Sequence, residues 1–258
     1  MGEQQHPQAR ESGNPQGRAL VLVHGAGGDR KLWGTVDRRL RAAGIPSLAL
    51  DLPGHGRAPG PGRDSVGAYA DFLETALGQG GIGEYAVAGH SLGGAVALTL
   101  AVREPPGLRG IAAVSTGARL PVDPRILKGT LAAFSCTVEN LARFCFARGT
   151  AEELLREAAR TMAAPGPEVV HGDFVACANY GLSDRELAGI GVPAEVVCGD
   201  IDVLTPLPLS QELAAKIPGA QLTRIPGCGH MPLLEAPEAL ADALARLWYR
   251  CFGEETSP

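Results

Sequence analysis

Ser91 stands in Gly89-His90-Ser91-Leu92-Gly93-Gly94, between the apolar runs 85–88 and 95–98. A serine between a buried strand and a buried helix sits on a sharp turn with strained backbone angles. Glycines two positions before and after it let the strand and helix approach. The turn pushes the hydroxyl into open space. The amide of Leu92, at the helix start, points the same way, so one turn supplies a nucleophile and half of a site for a developing oxyanion.

A serine hydroxyl is a weak nucleophile at neutral pH, so it needs an adjacent base, and the base needs an orienting acid. The chain has six histidines. His6 falls in a polar N-terminal stretch, His90 is read as pointing away from Ser91, and His171 lies among helical stripes. His24 and His55 are read as shaping their loops rather than reacting. His230 ends the loop Pro226-Gly227-Cys228-Gly229-His230, directly after a strand. Loops at the carboxyl ends of parallel strands are where such sheets gather catalytic groups. The acid must come from another such loop, and Gly199-Asp200-Ile201-Asp202, after the strand ending at Cys198, offers both Asp200 and Asp202. The order along the chain is Ser, Asp, His.

The elements that must position these groups are legible as alternation. Residues 19–23 form an aliphatic run suited to a strand buried on both faces. Leu32, Val36 and Leu40 follow at helical spacing until Gly44, then a strand at 47–50 and a Gly- and Pro-rich loop over 51–63. A helix carrying Val66, Tyr69, Leu73 and Leu77 leads to the Ser91 strand and its helix, and 110–115 reads as a fourth strand. This rhythm implies right-handed crossovers and a parallel sheet. It breaks after Leu120. One stripe there joins Leu131, Phe134, Val138, Leu141 and Cys145, and another joins Leu154, Leu155, Ala158 and Met162. Alternation resumes at 194–198, with a helix around Leu213 and Ile217, a strand at 221–225 and a last helix carrying Leu240, Leu244 and Leu247. The expected organisation is a flexible tail over 1–18, an α/β core over 19–120 and 189–258, and a helical cap over 121–188.

The 258 residues, 45% hydrophobic and 20% charged, are enough for one α/β domain with an insertion. A net charge of −5 leaves no basic excess to neutralise phosphates, which excludes a nucleic-acid partner. The N-terminal stretch has no apolar core of a signal peptide, and no apolar run reaches membrane-spanning length. The six cysteines form no CxxC pair, so a metal site is not expected, and their scatter through apolar stretches points to a reducing cytoplasm. Cys228 is read as a buried, idle thiol and Arg57 as a solvated charge. Phe134, Phe144, Phe146 and Phe174 either pack the cap onto the sheet or line an acyl pocket.

Together these motifs resemble those of the α/β-hydrolase superfamily, in particular its small cap-bearing serine esterases. Five match in the family's order: Val23-His24-Gly25-Ala26-Gly27-Gly28, Asp51-Leu52-Pro53-Gly54-His55-Gly56, the Ser91 turn, 199–202, and Gly229-His230-Met231-Pro232. The match covers residues 19–118 and 190–258. It departs in one respect: the family opens with a strand pair before the His-Gly loop, and nothing before Ala19 reads as strand. The resemblance implies Ser91 as nucleophile, His230 as base, and Asp202, three residues after the glycine, as orienting acid in preference to Asp200. It implies an oxyanion hole from the amides of Ala26 and Leu92, no cofactor, and a small-molecule ester as substrate. Carboxylesters of small or medium acyl chains are expected to be cleaved through an acyl-serine. A C–C bond hydrolase, thioesterase, lactonase, lyase or acyltransferase on the same groups is the alternative, and a receptor-like binding protein the remoter one.

Overall fold

A computed structural model describes residues 17–58 and 60–253. Of the expected tail, residues 1–16 lie outside the described residues, while Arg18 belongs to the first strand and pairs in register with Glu84. Six parallel strands form one sheet: β1 (Arg18–Val23), β2 (Ser47–Leu50), β3 (Glu84–His90), β4 (Leu108–Val114), β5 (Ala194–Gly199) and β6 (Gln221–Ile225). Their order is β2-β1-β3-β4-β5-β6. Among the described residues no strand precedes β1.

Both faces of the sheet are covered, which is why its strands read as continuous apolar runs. Successive side chains alternate between two cores: Ala19, Val21 and Val23 enter one, and Leu20 and Leu22 enter the other. The first core is closed by α2 (Val66–Gln79), α3 (Leu92–Arg103) and α9 (Leu207–Lys216), the second by α1 (Gly34–Ala42) and α11 (Pro237–Phe252). Ser65 caps α2 by accepting the Ala68 amide, and the buried stripe Val66, Tyr69, Leu73 and Leu77 holds it to the sheet.

Between β4 and β5 lie five helices: α4 (Pro124–Ala132), α5 (Phe134–Cys145), α6 (Glu152–Ala163), α7 (Pro167–Ala178) and α8 (Asp184–Ala188). The stripe running from Leu131 to Cys145 is not one helix. Ala133, at φ −150° and ψ 54°, breaks it, and Leu131 ends up 60% exposed on α4 while Val138, Leu141 and Cys145 on α5 are buried. A 3.6-residue pattern cannot register a single non-helical residue that leaves the spacing intact.

Strand order reverses between β1 and β3: the chain leaves β1 for one side of the sheet and returns to the other. The crevice at the carboxyl ends of two such strands is a natural ligand site, because their loops diverge there.

Candidate active site

Ser91 occupies that crevice with φ 52° and ψ −113°, a conformation that side-chain-bearing residues rarely adopt. Such strain is worth about 1–3 kcal/mol and persists only where the surroundings enforce it. Here they do. A Cβ on Gly89 would lie 1.9 Å from the Gly93 carbonyl oxygen, and one on Gly93 would lie 2.4 Å from that of Val23. The two glycines therefore permit strand, helix and neighbouring strand to meet behind the serine.

The amide of Leu92 opens α3, where first-turn N–H groups have no intrahelical acceptor. Across the crevice, the loop after β1 brings in Ala26. Its neighbours are engaged, Gly27 N–H with Asp173 Oδ2 at 2.8 Å and Gly28 N–H with the Gly25 carbonyl at 3.0 Å. Among the described residues neither the Ala26 nor the Leu92 amide has an acceptor.

His230 and Asp202 are brought together from loops 28 residues apart. His230 Nδ1 donates to Asp202 Oδ2 at 2.8 Å, and both residues are buried. Asp202 also accepts from the Leu204 and Thr205 amides and the Thr205 hydroxyl, each within 2.9 Å. Burial alone would raise its carboxyl, but His230 and the Thr205 bonds hold it below the ordinary carboxylate range. In the neutral ring this bond assigns the hydrogen to Nδ1 and makes Nε2 the acceptor. Asp200, the other candidate acid, faces elsewhere: it pairs with Arg224 at 2.9 Å and accepts the Gly227 amide at 2.7 Å.

The His230 loop is clamped from several sides. Its own amide donates to the Cys145 carbonyl at the end of α5, and His90 Nε2 donates to its carbonyl, both at 2.8 Å. Glu235, on the short helix α10 (Pro232–Glu235), accepts from the amides of Gly229, Met231 and Ala147. Cys228 is buried beside Glu235, and burial raises its thiol.

Ser91, His230, Thr205 and Gly25 to Gly28 line one cavity. Apart from His90 and Thr161 the rest of its wall is apolar, and it comes mostly from the segment between β4 and β5, including Leu141, Phe146, Met162 and Phe174. Of the other phenylalanines, Phe144 is 60% exposed and Phe134 half-buried. No Lys, Arg, Asp or Glu is among the described residues that line the cavity.

His24 and His55 take structural parts. His24 Nδ1 donates to the Gly25 carbonyl and Nε2 accepts the Leu52 amide, joining two loops. Burial, with His55 adding to it, pushes its imidazole down to about 4, and burial with His230 pushes His90 down to about 3. Unfolded, both rings protonate near 6.5, so the unfolded chain binds more protons below that pH. Their contribution to stability is therefore full above pH 6.5 and lost as pH falls toward 4 and then 3. The urea midpoint is expected to drop steadily over this window, and more shallowly in His24→Gln; an unchanged slope in that variant refutes the account.

Asp173, Thr205 and Glu235 escape a reading of the sequence. Only Asp173 leaves a trace, as a lone acid on an otherwise apolar helical face with Val170 and Phe174.

Residues 20–243 match the model of an alpha/beta hydrolase family. The chain belongs to that family. A solved structure of a thermophilic esterase is 32% identical, with a TM-score of 0.80 and 90% of each chain covered. A pimeloyl-[acyl-carrier protein] methyl ester esterase of Neisseria meningitidis serogroup A is 28% identical over 247 residues, 91% of this chain and 78% of the relative. The enol-lactonase of Burkholderia xenovorans LB400, at 20% identity and a TM-score of 0.84 over 92% of this chain and 94% of that one, shares the fold. The expected α/β-hydrolase architecture is thus met. Among the described residues no helix is long and apolar enough to cross a membrane.

Proposed function

We propose that the protein is a serine esterase in which Ser91, His230 and Asp202 form the catalytic set and the amides of Ala26 and Leu92 the oxyanion hole. The observation that carries this reading is the buried Asp202–His230 bond beside a cavity that Ser91 also lines. His230 Nε2 takes the Ser91 proton as Oγ attacks the ester carbonyl. Collapse of the tetrahedral intermediate breaks the bond to the alcohol oxygen, which receives that proton. Water, deprotonated by His230, then attacks the acyl-serine, and the carboxylic acid leaves as Ser91 regains its proton. Asp202 keeps its charge throughout and fixes the Nδ1–H tautomer.

The apolar, uncharged wall favours neutral esters with small or medium acyl chains. Relatives named as esterases support ester cleavage and do not favour C–C hydrolysis, thioester or lactone cleavage, acyl transfer or pure binding. The six cysteines are free, which supports a reducing compartment such as the cytoplasm.

A panel of p-nitrophenyl esters of graded acyl length tests the reading. Neutral chains are expected to turn over, with an acyl adduct on the protein detectable by intact mass. Acyl chains ending in a carboxylate should lose about 100-fold or more in kcat/KM, since that charge would be buried without a partner. Absence of both turnover and adduct across the panel refutes the proposal.

A further inference from the structure

Asp173 is fully buried on α7, yet none of its side-chain hydrogen bonds stays within the inserted helices. Its Oδ2 accepts Gly27 N–H at 2.8 Å and His55 Nε2–H at 2.9 Å, and its Oδ1 accepts the Tyr69 hydroxyl. The three donors come from the loop after β1, the 51–63 loop and α2. His55 Nδ1 donates to the Pro53 carbonyl, so both ring nitrogens face acceptors. Burial lowers that imidazole, but the bond to Asp173 and its charge outweigh burial and hold it above the ordinary value.

A buried carboxylate with an imidazole partner is a poor device for stability alone, because desolvation offsets most of the attraction. What it does here is geometric. Gly27 has φ +63° and lies under Met162 of α6, to whose Cγ an added Cβ would come within 2.6 Å. Gly27 N–H is turned toward Asp173, and the preceding peptide N–H, that of Ala26, is left without an acceptor beside the cavity. In a loop this short, fixing one peptide plane constrains the next.

We infer that Asp173 is a positioning residue: from the inserted helices, it holds the 25–27 loop in the orientation that presents the Ala26 amide to the reacting carbonyl. This rests on the esterase reading given above. The oxyanion hole is then completed by the same helical layer that walls the acyl cavity. A displacement of α7 would release Gly27 and disorder one donor.

The test compares Asp173→Ala with Asp173→Asn, whose amide oxygen can still accept from Gly27. Misplacing one donor should lower kcat of Asp173→Ala about 10- to 100-fold. Affinity for a trifluoromethyl ketone, which forms a tetrahedral adduct with Ser91, should fall equally, with KM within about threefold and Asp173→Asn closer to wild type. Wild-type kcat and ketone affinity in Asp173→Ala, or a rise in KM alone, overturns the inference and leaves Asp173 as a mere anchor of the helices. Should Asp173→Ala fail to fold, the amide signals of Ala26 and Gly27 in ¹⁵N-labelled Asp173→Asn decide. A neutral amide oxygen accepts more weakly than the carboxylate it replaces, so both signals are expected to shift, with moderately faster hydrogen exchange at Gly27; unchanged signals overturn the inference. Failure of the esterase reading shows separately, as wild-type protein that neither cleaves esters nor binds the ketone, and the amide signals test Asp173 even then.

Discussion

Ser91→Ala is expected to lose about 10⁴- to 10⁶-fold in kcat on a neutral p-nitrophenyl ester, with no acyl adduct by mass. In the proposed mechanism this residue provides the attacking oxygen, and no other hydroxyl stands at the bend between β3 and α3. The bend also makes a stability prediction of opposite sign. At φ 52° a glycine is unstrained, so Ser91→Gly should be as inactive as Ser91→Ala yet about 1 kcal/mol more stable. Thermal unfolding reads this as a rise of roughly 2–4 °C for a chain of this size. An active Ser91→Ala removes the nucleophile assignment. A Ser91→Gly variant that is less stable than wild type removes the claim that strain is stored there.

Asp202→Asn should lower kcat about 10³- to 10⁴-fold, while Asp200→Asn stays within about tenfold of wild type. Asparagine at 202 can still accept from the Thr205 and Leu204 amides, so the loop should keep its shape. What it loses is the charge facing His230 Nδ1 and the preference for the tautomer with Nε2 free. Asp200 has a different task. Its bonds to Arg224 and the Gly227 amide tie the loop after β5 to β6 and to the loop that follows it, and Arg224 holds its carboxyl below the usual range. Its removal should therefore be read in thermal stability more than in turnover. The reverse pattern, with Asp200→Asn inactive and Asp202→Asn active, reassigns the acid.

Much of the architecture follows from local pattern. Continuous aliphatic runs at 19–23 and 194–198 can be satisfied only by strands covered on both faces, and helical stripes between them can be satisfied only by packing on those faces. The stripe of α2 is buried as its spacing demands. The break at Ala133 was invisible because both halves keep helical spacing, so only the chain's change of direction distinguishes them.

The site divides along the same line. Gly89, Ser91 and Gly93 are readable in sequence because a bend this tight forbids side chains at two fixed offsets, a constraint that acts over five residues. The pairing of His230 with Asp202 instead of Asp200 is not readable from the residues alone. The two acids share a loop, and what separates them is which one turns toward the amides of Leu204 and Thr205 and which toward β6. Asp173 is the extreme case, since its partners Gly27, His55 and Tyr69 lie 146, 118 and 104 residues away. The sequence by itself determined the alternation, the bend and the residue types able to react. Tertiary structure alone decided which acid meets the imidazole and what orients the Ala26 loop. Those bonds are chosen by directions in space, and a hydrogen bond reaching across a hundred residues leaves no periodicity for a local pattern to carry.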